Sequence, residues 1–501
     1  MTQLLMDMTE VSWLALESRD RPMHVATLLI YSLPENAPAT FLGDMVARFR
    51  ESTEFADPFN RRIAHPLLRA MLPLWTRDYD LDMEYHVRHL ALPAPGGERE
   101  LGILISRLHS NPMDLARPLW EYHVIEGLEN NRFAVYFKMH HALVDGIAGV
   151  HMLQRSMSPD PNDLNTPPLW SAEGPSAPAK SIKKMLKTAS GNLSAMAPVA
   201  KKLVEVARSA LDSDDPLVRP FQTPVSILNH RIHGQRRFAT QLYEFARIRR
   251  LAKLADCTVN DIVLALCSGA LRRFLQELSV LPGQSLTAGI PISLRARDDQ
   301  SSAPAVSFIV ATLGTNIADP IRRLKAIRAS TRRAKQMMEG MSRESIEGLT
   351  MTLLSPQTLQ AMTGLEGRTR PVFNLTVSNV PGPTEHLYLR GARLEAMYPV
   401  SAITHGQALN ITCYSYAGTL SFGFAGCRDT LPRMQRIAVY TGEALEELEA
   451  ALASRAGEMH GSAAEPEPAE GAPPPKPRSK PKPRATAKSS PRAAPKPRRK
   501  P

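Results

Sequence analysis

Residues 132–138 read RFAVYFK, a run that is apolar on both faces of an extended chain. A strand of that kind belongs inside a sheet whose two faces are both covered. It runs directly into His140 and His141, and beyond Asp145 and Gly146 the residues IAGVHMLQ read as the start of a helix. The loop KMHHALVDG therefore sits at a strand-to-helix junction, where side chains can point into a cleft. Elsewhere, LNITCYSYAGTLSFGFAGC reads as two strands around a turn at Gly418. VNDIVLALCSGALRRFLQEL has apolar residues at three-four spacing, with Asn260 or Asp261 near the start of the helix. Strand and helix signals are mixed throughout, which predicts an α/β protein.

The chain has 501 residues, enough for two or three domains. Two breaks divide it. Residues 159–219 open with Pro-rich sequence and continue as SIKKMLKTASGNLSAMAPVAKKLVEVARSALD, a basic amphipathic stretch. It reads either as a surface helix in a crossover linker or as a segment that rests on anionic lipid. The end of the chain, from about 456, is made of Pro, Lys, Arg, Ala and Ser and has almost nothing apolar to bury, so it is expected to be disordered. The predicted organisation is thus a domain over 1–158, a linker over 159–219, a second domain over 220–455 and a tail over 456–501.

Charge follows the same division. The net charge is +12, but residues 471–501 hold eleven Lys or Arg and no acid, which leaves +1 for residues 1–470. A polyanion-binding role would therefore belong to the tail. The N-terminal residues MTQLLMDMTEVSW carry acids early and do not read as a signal peptide. No apolar run reaches the length of a bilayer span. Four scattered cysteines supply neither a disulfide framework nor a CxxC zinc site, so reduced thiols and a cytoplasmic location are expected.

The imidazole of a loop histidine can serve as a general base near neutral pH. His141 is the candidate base, and His140 a packing partner beside it. Asp145 either caps the next helix or holds the loop through an arginine. Gly146 relieves a backbone position that admits no Cβ. A metal is not expected, because adjacent residues on a strand point to opposite faces and no third ligand is evident.

HHALVDG matches the HHxxxDG motif of the CoA-dependent acyltransferase superfamily. The chain further resembles the bacterial wax ester synthase/acyl-CoA:diacylglycerol acyltransferases in DMTEVSWLALESRDRPMHV, RRIAHPLLRAMLPLW, RPLWEYHVIEGL, PISLR, NLTVSNVPGP and LNITCYSYAGTLSFGFAGC, over about residues 6–450. The resemblance implies two chloramphenicol-acetyltransferase-like domains, each a mixed sheet flanked by helices, with an active-site tunnel at their interface. It implies acyl-CoA as donor substrate, diacylglycerol or a long-chain alcohol as acceptor, no bound cofactor, and His141 as general base without an acyl-enzyme. Arg295 is the implied partner of Asp145. Asn260 and Asp261 match a family Asn-Asp pair and have capping as their alternative role. Ser378 and Asn379 are candidate oxyanion or substrate contacts. Pro118, Leu119 and Trp120 match a family motif expected to pack. His405 lies in a region near the implied tunnel and reads as a satisfied structural histidine. Apolar substrates imply peripheral attachment to the inner membrane surface or to lipid inclusions. The competing readings are a condensation-type or polyketide-associated acyltransferase fed by a carrier protein, and a polyanion or lipid-droplet binding protein acting through its basic tail.

Overall fold

The computed structural model describes residues 3–69, 71–144, 146–171, 218, 223–293 and 306–461. Two six-stranded mixed sheets organise residues 3–454. In the first, the strands lie side by side in the order Tyr388–Leu389, Ala392–Val400, His24–Ser32, Arg132–His140, Trp120–Leu128 and Val87–Ala91. All neighbours are antiparallel except the last pair. In the second, the order is Val306–Thr312, Thr287–Ser293, Leu375–Pro381, Leu409–Tyr416, Thr419–Cys427 and Arg236–Glu244. Here Leu375–Pro381 runs parallel to both of its neighbours. A small third sheet joins Gln3–Leu5, Leu74–Arg77 and Arg61–Ile63.

The strand Arg132–His140 is central in the first sheet, and Phe133 to His140 are all buried. Its alternating side chains feed two separate cores. Phe133, Val135, Phe137 and Met139 join one apolar cluster, while Ala134 and Tyr136 join another, with Ile105 of the helix Glu98–Ser110. This is why the run is apolar on both faces. In the second sheet, the helix Val259–Glu277 packs its apolar residues into the largest cluster. The hairpin Leu409–Tyr416 to Thr419–Cys427 turns at Ala417 and Gly418, both at positive φ, which suits a tight two-residue turn.

The sheets do not divide where the sequence blocks do. Residues 388–400 come from the second block yet form two strands of the first sheet. The two sheets also touch closely. A Cβ on Gly423 would lie 1.8 Å from the Pro399 carbonyl oxygen, so only glycine fits there. Tyr416 of the second sheet donates its hydroxyl to the Leu394 carbonyl of the first, at 3.0 Å. The final helix, Arg436–Gly461, runs past the expected boundary at 455; no proline interrupts the chain before Pro466. The basic stretch within 172–217, the tail 462–501, Asp145 and Arg295 lie outside the described residues.

Among the described residues no single helix is long and apolar enough to cross a membrane. The bent pair Phe245–Leu254 and Val259–Glu277 passes the test of length and composition, but its second member is a buried core helix.

Candidate active site

The strand Arg132–His140 ends at the turn that carries His141. Four bonds fix this turn. The His140 N–H donates to the Leu119 carbonyl at 3.0 Å, the His141 N–H to the Met23 carbonyl at 2.9 Å and the Leu143 N–H to the His140 carbonyl at 3.0 Å. The Ala142 N–H donates to His140 Nδ1 at 3.0 Å. Because Nδ1 accepts, the ring proton of neutral His140 must lie on Nε2. That Nε2 faces Glu17 Oε2 at 3.4 Å, and both side chains are buried. His140 is therefore a bolt between the turn and the segment around Glu17.

His141 leaves the strand in the other direction and is half-buried. Its ring stacks on Trp13, with centroids 4.0 Å apart and planes 10° from parallel. Trp13 sits in the helix Met8–Leu16 and Glu17 caps its C-terminus. The helix starts at a capping box. Asp7 Oδ1 accepts the N–H groups of Thr9 and Glu10, and Glu10 Oε2 accepts the N–H of Asp7. One short helix thus supports both histidines, with Trp13 and Glu17 four residues apart on one side. Neither residue was singled out from the sequence as part of the site. The visible signal was Asp-x-x-Glu at Asp7 and Glu10, which begins the helix and sets which residues face together. Gly146 opens the helix Gly146–Arg155.

Around the turn lies a buried polar layer. His24, opposite His140 in the sheet register, lies 3.0 Å through Nε2 from the His109 carbonyl. His109 Nδ1 lies 2.9 Å from the Tyr136 hydroxyl. Burial, helped by the charge of Arg236, pushes His109 down to about 3, and burial likewise lowers His24 well below the ordinary range. Both rings are neutral at pH 7. Lys138 Nζ pairs with Glu121 Oε2 at 2.9 Å and also bonds the Leu108 and Asn111 carbonyls. Burial opposes the charge on Glu121, but the His123 hydrogen bond and the Lys138 ammonium outweigh it and hold the carboxyl at about 2.

The other expected site residues separate into two groups. Ser378 and Asn379 lie half-buried on Leu375–Pro381, paired with Thr412 and Cys413. The next residue, Val380, packs on the same large apolar cluster of the first sheet that Leu143 and Val144 also join. Asp261 has the bonds of its capping alternative. Its Oδ2 accepts from the Thr258 N–H at 3.0 Å and the Thr258 hydroxyl at 2.7 Å, and its Oδ1 accepts from the Thr331 hydroxyl at 2.8 Å. Its carboxylate closes a capping box and ties two helices together, and an acceptor of this kind offers nothing to an oxyanion. Asn260, beside it, lies in the first turn of the same helix. Leu119 and Trp120 are fully buried, and Trp120 donates to the Phe59 carbonyl at 2.8 Å. His405 Nδ1 accepts the Ile232 N–H at 3.1 Å, and burial lowers its pKa to about 4, so the ring is neutral at pH 7. The recess lined by Glu366, Gly367, Phe373, His405 and Gln407 does not include His141.

Residues 6–263 match the wax ester synthase/diacylglycerol acyltransferase catalytic domain, and residues 305–449 match the C-terminal domain of the same group. The chain belongs to the wax ester synthase/diacylglycerol acyltransferase family. A putative diacylglycerol O-acyltransferase of Mycobacterium tuberculosis is 44% identical over 87% of this chain and 95% of its own length. The O-acyltransferase WSD of Acinetobacter baylyi is 40% identical over 88% of this chain and 96% of its own. The solved wax ester synthase/diacylglycerol acyltransferase of Marinobacter aquaeolei has a TM-score of 0.74 and 36% identity, covering 90% of this chain and all of that one. A condensation domain of the calcium-dependent antibiotic synthetase shares the fold alone, at 15% identity and a TM-score of 0.56. The family thus accounts for the two-sheet architecture and for an acyltransferase that uses acyl-CoA. It favours this reading over the carrier-protein and tail-binding alternatives.

Proposed function

We propose that this acyltransferase moves a long-chain acyl group from acyl-CoA to the hydroxyl of diacylglycerol or of a long-chain alcohol, with His141 as general base. The observation that carries the reading is the His141 turn, held by four hydrogen bonds and a Trp13 stack, in a chain whose family acts on acyl-CoA. His141 takes the proton of the acceptor hydroxyl as its oxygen attacks the thioester carbonyl. The tetrahedral oxyanion collapses, the C–S bond breaks, and the imidazolium returns its proton to the CoA thiolate. The ester and free CoA leave, and no acyl-enzyme forms.

Rigid support matters because a misplaced base forfeits most of its rate advantage. Ser378 and Asn379 are proposed to meet the oxyanion or the substrate near it, a reading supported by their neighbour Val380 packing on the apolar cluster that Leu143 and Val144 share. Asp145 and Arg295 are proposed to clamp the same loop, and a tunnel between the domains over 1–158 and 220–455 is proposed to admit the two substrates from opposite sides. Work at the surface of the membrane or of lipid inclusions follows from the apolar acceptors and products.

The test is product analysis with labelled palmitoyl-CoA and either dioleoylglycerol or hexadecanol. Labelled triacylglycerol or wax ester supports the reading, and the more abundant product identifies the preferred acceptor. Labelled free fatty acid alone, with neither ester, refutes it.

A further inference from the structure

The small sheet carries a feature that the chemistry does not use. Its strands Arg61–Ile63 and Leu74–Arg77 form a hairpin whose tip spans residues 64–73. At that tip Leu67 is 97% exposed and Met71 80%, with Leu68 and Leu72 also exposed. With Leu5, paired with Leu74 at the start of the second strand, these make five of the fifteen large apolar side chains exposed among the described residues, gathered at one end of the small sheet. Scattered exposed leucines mean little, but a gathered patch marks a contact surface.

We propose that this hairpin tip is the docking surface for a lipid layer with anionic headgroups, an inference that rests on the acyltransferase reading because that reading supplies apolar substrates held in such a layer. Three observations favour a lipid layer as the occupant. Three N–H groups of the tip are bonded within it: Leu68 N–H to the His65 carbonyl, and Met71 and Leu72 N–H to the Leu68 carbonyl, at 2.8–3.0 Å. A tip closed in this way enters an apolar medium without leaving those groups unpaired. Residues 64–73 hold one arginine, Arg69, and no acid. Arg69 forms no ion pair among the described residues, whereas at the far end of the hairpin Arg61 pairs with Asp57 and Glu10 and Arg62 with Asp78. An apolar tip with an unmatched arginine suits the interface of an anionic leaflet. The base of the hairpin also reaches the active site. Ile63 and Trp75 are buried in one cluster with Leu14 and Ala142, against which Trp13 packs, and Arg69 donates to the Leu14 carbonyl. The tip therefore anchors the protein close to the turn where an apolar acceptor must arrive.

The test is sedimentation of the full chain with phosphatidylglycerol/phosphatidylcholine vesicles, comparing wild type with the double variant Leu67→Ser and Met71→Ser. Both positions are exposed, so the variant keeps its core. Measurement at about 0.5 M salt screens attraction from the basic tail. Each lost apolar side chain is worth about tenfold in partitioning, so the double variant should bind at least tenfold more weakly. Its size-exclusion volume and its CoA release with the water-dispersed acceptor hexanol should match wild type, and Leu67→Trp should bind more tightly. Unchanged vesicle binding in the double variant overturns the proposal. So does weaker binding accompanied by a change in oligomeric state, which would assign the patch to a second copy of the chain. Failure of the acyltransferase reading would show separately, as absent hexanol-dependent CoA release in wild type.

Discussion

Replacing Glu17 by Gln tests whether the buried bolt beneath the site sets the rate. Glu17 Oε2 accepts the Met23 N–H and faces His140 Nε2 at 3.4 Å. Gln has nearly the same shape, and its amide oxygen can keep the Met23 bond. That same oxygen faces His140 Nε2, so what the substitution removes is the negative charge 3.4 Å from the ring nitrogen. The ring keeps its tautomer, because Nδ1 already accepts the Ala142 N–H. At 3.4 Å the contact is a charge facing a ring dipole, not a formed hydrogen bond, so its loss should cost about 1 kcal/mol in stability, below the range for a hydrogen bond to a charged group. With the loosened ring passing that loss to the turn holding His141, kcat falls several-fold, since a tenfold change corresponds to about 1.4 kcal/mol in the barrier. The assay is CoA release from palmitoyl-CoA with saturating hexadecanol, alongside urea unfolding. A double-mutant cycle with His140→Gln should return a coupling of about 1 kcal/mol or more. Wild-type kcat in a destabilised Glu17→Gln, or strictly additive effects in the cycle, would refute the reasoning.

Three further outcomes are expected. Thr331→Val removes the donor to Asp261 Oδ1 and should lower stability by about 1–2 kcal/mol in urea unfolding, with kcat within about twofold of wild type if the bond serves only to brace the two helices. Stability should fall on acidification below the ordinary histidine range. His109 is held at about 3 by burial, so the unfolded chain takes up its proton first, and stability present above pH ~6.5 is lost as pH falls toward 3, by up to about 1.4 kcal/mol per pH unit; urea midpoints at about pH 7 and about pH 5 should converge more in His109→Gln than in wild type. Ser378→Ala and Asn379→Ala, measured as kcat with either acceptor, should identify an oxyanion donor by a loss of about 100-fold or more; a loss below about threefold in both excludes them from that role.

What the sequence made legible was local. RFAVYFK, the Gly418 hairpin and the helix Val259–Glu277 each announce themselves within one window, and each forms as expected. The HHALVDG turn was legible too, because a buried strand leading into a helix leaves only one short loop for it. The supports of that turn were not. Glu17 meets His140, and Trp13 meets His141, across more than 120 residues, and no periodicity encodes such a pairing. Residues 388–400 joined the first sheet for the same reason: their strand pairs with Ala26–Ser32, a partner the sequence does not point to. Asp261 shows the opposite difficulty. Its motif carried two readings, and the hydroxyls of Thr258 and Thr331 on its oxygens, which favour the structural one, come from residues the motif does not include.

The most direct measurement is acceptor-dependent CoA release by His141→Ala beside wild type, with palmitoyl-CoA as donor and dioleoylglycerol, hexadecanol or no acceptor. A general base contributes about 100- to 10,000-fold, and the account predicts a loss of at least the lower figure with both acceptors while the fold and palmitoyl-CoA binding persist. Release that stays within tenfold of wild type in His141→Ala would contradict it and move the chemistry away from this turn.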